Sequence, residues 1–502
     1  MTVDKDALLA GLASRDAAVL AADEGAAAEK QHARGSLTAR ERMGRLFDAG
    51  SFHEVGRLVR HHCTDFGMAE KELPADGVIT GYGNVDGRLV FAYAQDFGVA
   101  GGSMGRAHGT KVCRLLDMAA ESGAPVVGLC NSGGARIQEG VAALSAYGDI
   151  FRHNCRYSGV IPQVSVVFGP CAGGASFSPT LTDFTIMVEG KGEMYVNGPA
   201  VVRTITGQDF DAEDLGGSTV HLEKSGVAHF GAPDDASAIE LAKRLLSYLP
   251  SCAGELPPVV AYASSDEVRP ELRRLMPVEG EETDVHEVIY QLLDEGSFLE
   301  VQPAYAPNIV VGLGRMAGRS VGVIANNRAH LDGALSIDAC DKASHLARTC
   351  NAFGIPLLFL ADAGCFYPSA QEAWGGNIRH GAEALRAVAT ASVPKLTVIL
   401  GRDLGGCYMA MCSKGMGADL VLAWPSAEIA VMGAEGAARI VFPKEIAASQ
   451  DPAACQAQKV REYREKFASP YQAASLGYVD SVIDPAETRQ ELISALDALC
   501  RP

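Results

Sequence analysis

IPQVSVVFGPCAGGASF (161–177) and VPKLTVILGRDLGGCYM (393–409) decide the architecture. Each is an apolar run rich in β-branched residues that ends in a Gly-Gly turn and leads into a helix-like segment. Gly173-Gly174 thus pairs with Gly405-Gly406. In the same register of 231 or 232 residues, GAPVVGL from Gly123 pairs with GIPLLFL from Gly354, and GRLVFAYAQ from Gly87 with GRSVGVIAN from Gly318. Further upstream LFDAGSFHEV (46–55) recurs as LLDEGSFLEV (292–301). Self-similarity of this kind is the mark of a duplicated domain.

Within each half, short continuous apolar runs (VVGLC, VSVVFG, LTVIL, VLAW) alternate with amphipathic stretches such as GTKVCRLLDMAAESG and IDACDKASHLARTCNAFG. The second places Ala343, Leu346, Ala347 and Cys350 on one helical face. Apolar strands separated by helices predict layered α/β domains with sheets covered on both faces. Two domains are expected, 1–255 and 256–502, joined through the Pro- and acid-rich segment at about 250–282.

Lys and Arg number 43 against 61 Asp and Glu, a net charge of -18 that repels phosphate backbones and anionic lipid heads. No nucleic-acid or membrane partner is expected. The 13 cysteines are scattered and contain no CxxC pair, so neither a disulfide framework nor a zinc site is indicated, and a reducing cytoplasm is expected. No apolar run approaches the roughly 18 residues of a spanning helix, so neither export nor membrane insertion is expected.

At a strand-to-helix glycine turn, backbone N–H groups lie unpaired at the positive end of a helix, where they can hold a developing oxyanion. One isolated Gly-Gly is more often a mere tight turn; two equivalent turns in duplicated domains favour the functional reading. A third turn, NSGGARIQEG (131–140), also follows an apolar strand and offers a cradle for an acyl carbonyl or phosphate. It is no P-loop, since no Gly-Lys-Ser/Thr follows. Arg136 either faces an anion there or pairs locally with Glu139.

GSLTARERMGRLFDAGSF (35–52), AQDFGVAGGSMG (94–105), PVVGLCNSGGARIQEGV (125–141), IPQVSVVFGPCAGGASFSPTLTDFTIMV (161–188), SGVAHF (225–230) and ADLVLAWPSAEIAVMGAEGA (418–437) together resemble the carboxyltransferase β chains of biotin-dependent acyl-CoA carboxylases, particularly the propionyl-CoA carboxylase group. The resemblance runs in order from about residue 35 to about 490. It implies two crotonase-like (ClpP/crotonase) domains per chain, a homohexamer of two stacked trimers, and sites between N and C domains of different subunits. In that family carboxybiotin releases carbon dioxide in the site, the freed biotin nitrogen takes the α-proton of an acyl-CoA, and the enolate captures the carbon dioxide. Two oxyanion holes are then needed, each donor worth about 2.7–4 kcal/mol.

By motif, the resemblance assigns Gly174 and Ala175 to the acyl-CoA carbonyl, Gly406 and Cys407 to the biotin carbonyl. Ser132, Gly133, Gly134, Ala135, Arg136, Gly173 and Met409 fall on the acyl-CoA side, and Gly364, Cys365, Phe366 and Gly405 on the biotin side. The chain carries no Met-Lys-Met biotinylation site and no ATP-binding module, so biotin is expected on a separate carrier, loaded by a biotin carboxylase. No metal is implied.

Three departures from the family pattern stand out. DAGCF (362–366) replaces the usual DVPGF; Gly405-Gly406-Cys407-Tyr408-Met409-Ala410-Met411 replaces GGAYDVM, putting a thioether where propionyl-type enzymes carry an aspartate; and Asn131 stands where Asp is common. Met409 therefore predicts a preference for longer or branched acyl groups over propionyl. The Cys407 thiol reads as inert, acting through its backbone N–H. His108, His229 and His380 are isolated and read as structural, Asp403 and Asp419 as capping or solvated groups, and Ser178 and Ser413 lack the Gly-x-Ser-x-Gly elbow of a serine hydrolase. A biotin-dependent decarboxylase or transcarboxylase chain, and a catalytically silent structural subunit, are the alternative readings.

Overall fold

In the computed structural model, which describes residues 4–21, 25–262, 267–278 and 284–500, the chain divides into two compact units, Met1–Glu255 and Leu256–Pro502. Residues 263–266 and 279–282 of the expected linker lie outside the described residues. The first unit carries β1 (His53–Glu54), β2 (Val78–Val85), β3 (Arg88–Gln95), β4 (Val126–Ser132), β5 (Gln163–Ala172), β6 (Phe184–Val188), β7 (Glu193–Tyr195) and β8 (Phe230–Ala232). The second carries β9 (Leu299–Val301), β10 (Ile309–Met316), β11 (Arg319–Asn326), β12 (Leu357–Ala363), β13 (Lys395–Leu404), β14 (Leu420–Ala423), β15 (Glu428–Ala430) and β16 (Ser481–Val482).

The two sheets have one topology. The first is ordered β1-β2-β3-β4-β5-β6-β8 with β7 also on β5; the second is β9-β10-β11-β12-β13-β14-β16 with β15 on β13. In each, the first three strands are antiparallel and the rest parallel. This is the duplicated α/β architecture that the repeats predict, and it is the tandem crotonase-like fold that the resemblance implies. The continuous apolar runs are central strands buried along their whole length, as β4 and β12 are, because helices cover the sheets.

The repeated LFDAGSF and LLDEGSF segments have a physical cause. Hairpins β2–β3 and β10–β11 close on two-residue turns, Asp86-Gly87 and Ala317-Gly318, whose residues all have positive φ. The Asp48 carboxylate accepts the amides of Asp86 (3.1 Å) and Gly87 (2.9 Å), and Asp294 those of Ala317 (3.1 Å) and Gly318 (2.8 Å). Phe52 and Phe298 fill the space over Gly81 and Gly312, where a Cβ would come within 2.6 Å of either ring.

A second matched pair escapes the motif search. Lys111 and Lys342 are both buried, on the helices Arg106–Ser122 and Ile337–Ala352. Lys111 Nζ donates to the carbonyls of Ala75 (2.9 Å) and Val78 (2.5 Å), Lys342 Nζ to those of Tyr305 (2.7 Å) and Ile309 (2.8 Å). Burial pulls both ammonium groups down to about 8. On the second helix Leu346, Ala347 and Cys350 are fully buried and Ala343 partly, the face expected from spacing. No helix among the described residues is long and apolar enough to cross a membrane.

Candidate functional site

Each sheet presents two loops at the C-terminal ends of its central parallel strands. In the first unit these are 131–136 after β4 and the glycine turn after β5. The ladder between β4 and β5 shifts register between Cys130 and Ser132, and that between β12 and β13 between Ala361 and Ala363. Asn131 and Asp362 occupy matching places: the Asn131 amide donates to Gln95 Oε1 (3.0 Å), the Asp362 amide to Asn326 Oδ1 (3.1 Å). A parallel bridge then joins Met104 to Ala135, and Leu335 to Phe366. Loops 131–136 and 362–366 are thus copies of one element, an equivalence hidden in the sequence because NSGGA and DAGCF share one glycine.

In the first turn, Gly173 has φ +59°, which glycine adopts without strain, and begins a tight helical turn Gly173–Ser176 continued by Phe177–Thr180. The amides of Gly174 and Ala175 sit in that first turn, where no preceding carbonyl of the helix reaches them. Tyr147 packs beneath: a Cβ on Gly174 would lie 3.1 Å from its ring. Loop 131–136 closes on the same strand end, with Gly134 (φ +100°) so near that a Cβ would meet the Ala172 carbonyl at 2.9 Å. Gly173, Gly174, Ala175, Gly133, Gly134 and Ala135 therefore share one strand edge.

Two other residues assigned to this edge turn inward. Ser132 is fully buried, its hydroxyl donating to the Gly102 carbonyl (2.7 Å) and accepting the Gly134 amide (3.2 Å), so it shapes the loop. Arg136 is 2% exposed. Its guanidinium donates to Asp76 (2.5 Å), to Glu139 (2.8 Å) and to the Ser103 carbonyl (2.8 Å). The local-pair reading describes it, with Asp76 the unforeseen partner 60 residues away. Arg136 ties the loop to the strained Ala75-Asp76 bend (φ +50° and +53°) rather than offering an open cation.

The second turn repeats the first. Gly405 has φ +56° and donates its amide to the Ala430 carbonyl (2.9 Å), and the short helix Gly406–Ala410 begins with the amides of Gly406 and Cys407. Phe366 takes the place of Tyr147, since a Cβ on Gly406 would lie 2.8 Å from its ring. The Cys365 carbonyl accepts the Leu335 amide (3.2 Å), and a Cβ on Gly364 would have open space out to the Arg402 guanidinium at 3.7 Å. Gly364, Cys365, Phe366, Gly405, Gly406 and Cys407 thus assemble at one edge. Met409 is 45% exposed on the same turn. The Cys407 side chain is fully buried and burial raises its thiol far above the ordinary range, as the inert reading requires.

The electrostatics of the two edges differ. Asp362 is buried, accepts the Arg402 amide (2.9 Å) and lies 3.7 Å from Arg328; burial raises its carboxyl against the pull of both arginines. Asp403, expected to cap or be solvated, does neither: it is 1% exposed, and burial followed by repulsion from Asp362 pushes it up to about 8. Asp419 is exposed and its carboxylate accepts the Lys395 amide (2.8 Å), as the capping or solvated reading has it. The histidines are structural as expected. His108 is fully buried against the Asp76 carbonyl (3.1 Å) and driven down to about 3 by burial, His229 Nδ1 accepts the Thr185 amide (2.9 Å), and His380 pairs with Asp341 (2.7 Å). Among the described residues no three His, Cys, Asp or Glu side chains are grouped to hold a metal.

The carboxyl transferase domain family matches residues 30–501. The α subunit of methylmalonyl-CoA decarboxylase from Propionigenium modestum is 50% identical over 475 residues, 94% of this chain and 92% of that protein. The propionyl-CoA carboxylase β chain of Saccharopolyspora erythraea is 47% identical over 505 residues, covering 98% and 92%. Among solved structures, the transcarboxylase 12S hexamer with methylmalonyl-coenzyme A and methylmalonic acid bound superposes with a TM-score of 0.97 at 46% identity, over 100% of this chain and 98% of that one.

Proposed function

Because the chain belongs to the carboxyl transferase family, and is a carboxyltransferase of the biotin-dependent acyl-CoA carboxylase, transcarboxylase and decarboxylase group, we propose that its two glycine turns divide one reaction between them. The observation that carries this reading is the duplication of the turn itself, with a left-handed glycine, first-turn amides and a supporting aromatic ring in each unit. The amides of Gly174 and Ala175 hold the thioester oxygen of an acyl-CoA as its α-carbon becomes an enolate. Those of Gly406 and Cys407 hold the ureido oxygen of biotin. Preorganised amides of this kind cost nothing to reorient as charge develops.

The second turn fits biotin because Gly364 leaves open space beside it. When bound, carboxybiotin on a partner carrier supplies the carboxyl group and a basic ring nitrogen, so no side-chain base is required of this chain. Loop 131–136, held by Arg136 on Asp76, orients the thioester; loop 362–366 orients the ureido ring. Direction is set by the coupled partner. Intact turns in both units count against a silent subunit.

Homohexameric assembly is part of the proposal. Ile137, Val141 and Leu144 beside the first loop, and Trp374, Ile378 and Val431 beside the second, are large apolar side chains 62–88% exposed. Such surface is suited to subunit contacts, and the 12S relative is a hexamer.

The test is transfer from a carboxylated biotin-carrier protein to acetyl-, propionyl-, butyryl- and longer acyl-CoAs, followed by mass spectrometry of the acyl-CoA product. Carboxylation of at least one acyl-CoA, and the reverse reaction from a 2-carboxyacyl-CoA such as methylmalonyl-CoA, is expected. Met409 predicts that kcat/KM rises with chain length by about 0.8 kcal/mol per buried methylene. Met409→Asp is expected to swing the profile toward propionyl-CoA; an unchanged profile removes Met409 from acyl selection.

A further inference from the structure

Asp403 is the one feature in which the two glycine turns differ most. It lies on β13 two residues before Gly405, where the matching position in the first unit, two residues before Gly173, holds Cys171. Cys171 is fully buried in an apolar cluster with Cys130, Tyr147 and Ala175. Asp403 is buried just as deeply, 1% exposed, yet its Oδ1 has no hydrogen-bond partner. It pairs across the ladder with Ala363, next to the buried carboxylate of Asp362, and its charge is felt by Cys407 and Tyr408 in the helix that opens the turn. An ionised carboxylate there has no cation or amide bonded to Oδ1 and stands beside another carboxylate, an arrangement that low-dielectric surroundings penalise heavily.

We propose that Asp403 is a positioning residue for carboxyl transfer, whose retained proton keeps the ground beneath the Gly406 and Cys407 amides neutral so that they can hold an oxyanion. The inference rests on reading that turn as an oxyanion site. With the proton present, the amides face the developing charge unopposed. Once it is lost, a fixed negative charge lies beneath the same amides, and the oxyanion is repelled where Coulomb forces are least screened.

The charged and titratable neighbours leave this assignment standing. Asp362 and Arg402 lie on β12 and β13, Arg402 is paired with Asp332, and Glu428 is the ladder partner of Arg402 on β15. The thiols of Cys340 and Cys407 and the phenol of Tyr408 are all raised by burial, Cys340 to about 12. Cys365, also raised, faces the turn from loop 362–366. Burial pushes Asp403 up to about 8 with no cation bonded to it, whereas Asp362, also raised by burial, is pulled back down by Arg328 and Arg402. Lys111 and Lys342 titrate in the same range, but their ammonium groups are bonded to carbonyls at 75–78 and 305–309.

The experiment compares the native full-length enzyme with Asp403→Asn and Asp403→Cys, the second copying the first unit. Two profiles are read from pH 5 to 9.5: kcat for transfer from the carboxylated carrier, and the equilibrium constant for denaturant unfolding. In the native enzyme kcat is expected to fall by up to about tenfold from pH 7 to 9, a limb absent from both variants. The stability sign follows from a raised folded value: the advantage is complete below about pH 4 and is lost as pH climbs to about 8, so unfolding becomes easier by roughly tenfold per pH unit relative to either variant. An alkaline limb that persists unchanged in both variants overturns the proposal, as does a stability profile parallel to theirs. If the native enzyme transfers no carboxyl group at any pH, the oxyanion reading itself fails and the proposal with it, and the stability profile separates that outcome from a misassigned proton.

Discussion

Gly405→Ala is expected to lower kcat for carboxyl transfer by roughly 10²- to 10³-fold, the loss that follows when an oxyanion donor is removed or misaimed. Two strains act together. The added Cβ must accept φ +56° and lies 3.0 Å from the Val431 carbonyl. Relief of either moves the amides of Gly406 and Cys407 that follow directly. Acyl-CoA is held by the other unit in this scheme, so its KM is expected to change less than threefold, which marks a loss confined to the transition state. Gly173→Ala is the matched variant: φ is +59°, but the nearest atom to a new Cβ is the Val196 carbonyl at 3.9 Å, so strain alone acts. A roughly tenfold smaller effect is expected there. Steady-state kinetics on both variants checks the pair, and equal losses would show that the Val431 contact is irrelevant.

The largest stability effect is expected at Asp76. Its carboxylate meets Arg136 with the two side chains 0% and 2% exposed, and it also accepts the His108 amide at 2.8 Å. Asp76→Ala leaves a guanidinium buried with only Glu139 and backbone carbonyls, and an amide without its acceptor. Removing one partner of a buried pair costs about 3–5 kcal/mol. For a unit of this size that is a fall in Tm of roughly 6–20 °C. Because Arg136 anchors loop 131–136, the same variant is expected to raise the acyl-CoA KM several-fold at temperatures where it remains folded. Arg136→Met leaves the buried Asp76 and Glu139 carboxylates without their cation and is expected to cost a similar amount. Calorimetry checks both variants; a Tm within about 2 °C of the native value in either would contradict the account.

The duplicated architecture was legible because its causes are local. An apolar run, a two-residue turn at Asp86-Gly87 or Ala317-Gly318, and an aspartate that caps it are short-range features, and their repetition needs no knowledge of the fold. The glycine turns were legible for the same reason: a left-handed residue between strand and helix favours glycine, and Gly173 and Gly405 supply it. What the sequence determined is therefore the fold, the two turns and the family. It could not show whether a polar side chain ends in water or in the core, because that depends on neighbours far away in the chain. Arg136 reads as an anion-facing cation or the local partner of Glu139 until Asp76 is folded against it, and Asp403 reads as a capping or solvated group until β12 brings Asp362 beside it and buries both. Burial turns an ordinary aspartate into one that holds its proton to about 8, and only the tertiary structure supplies the burial.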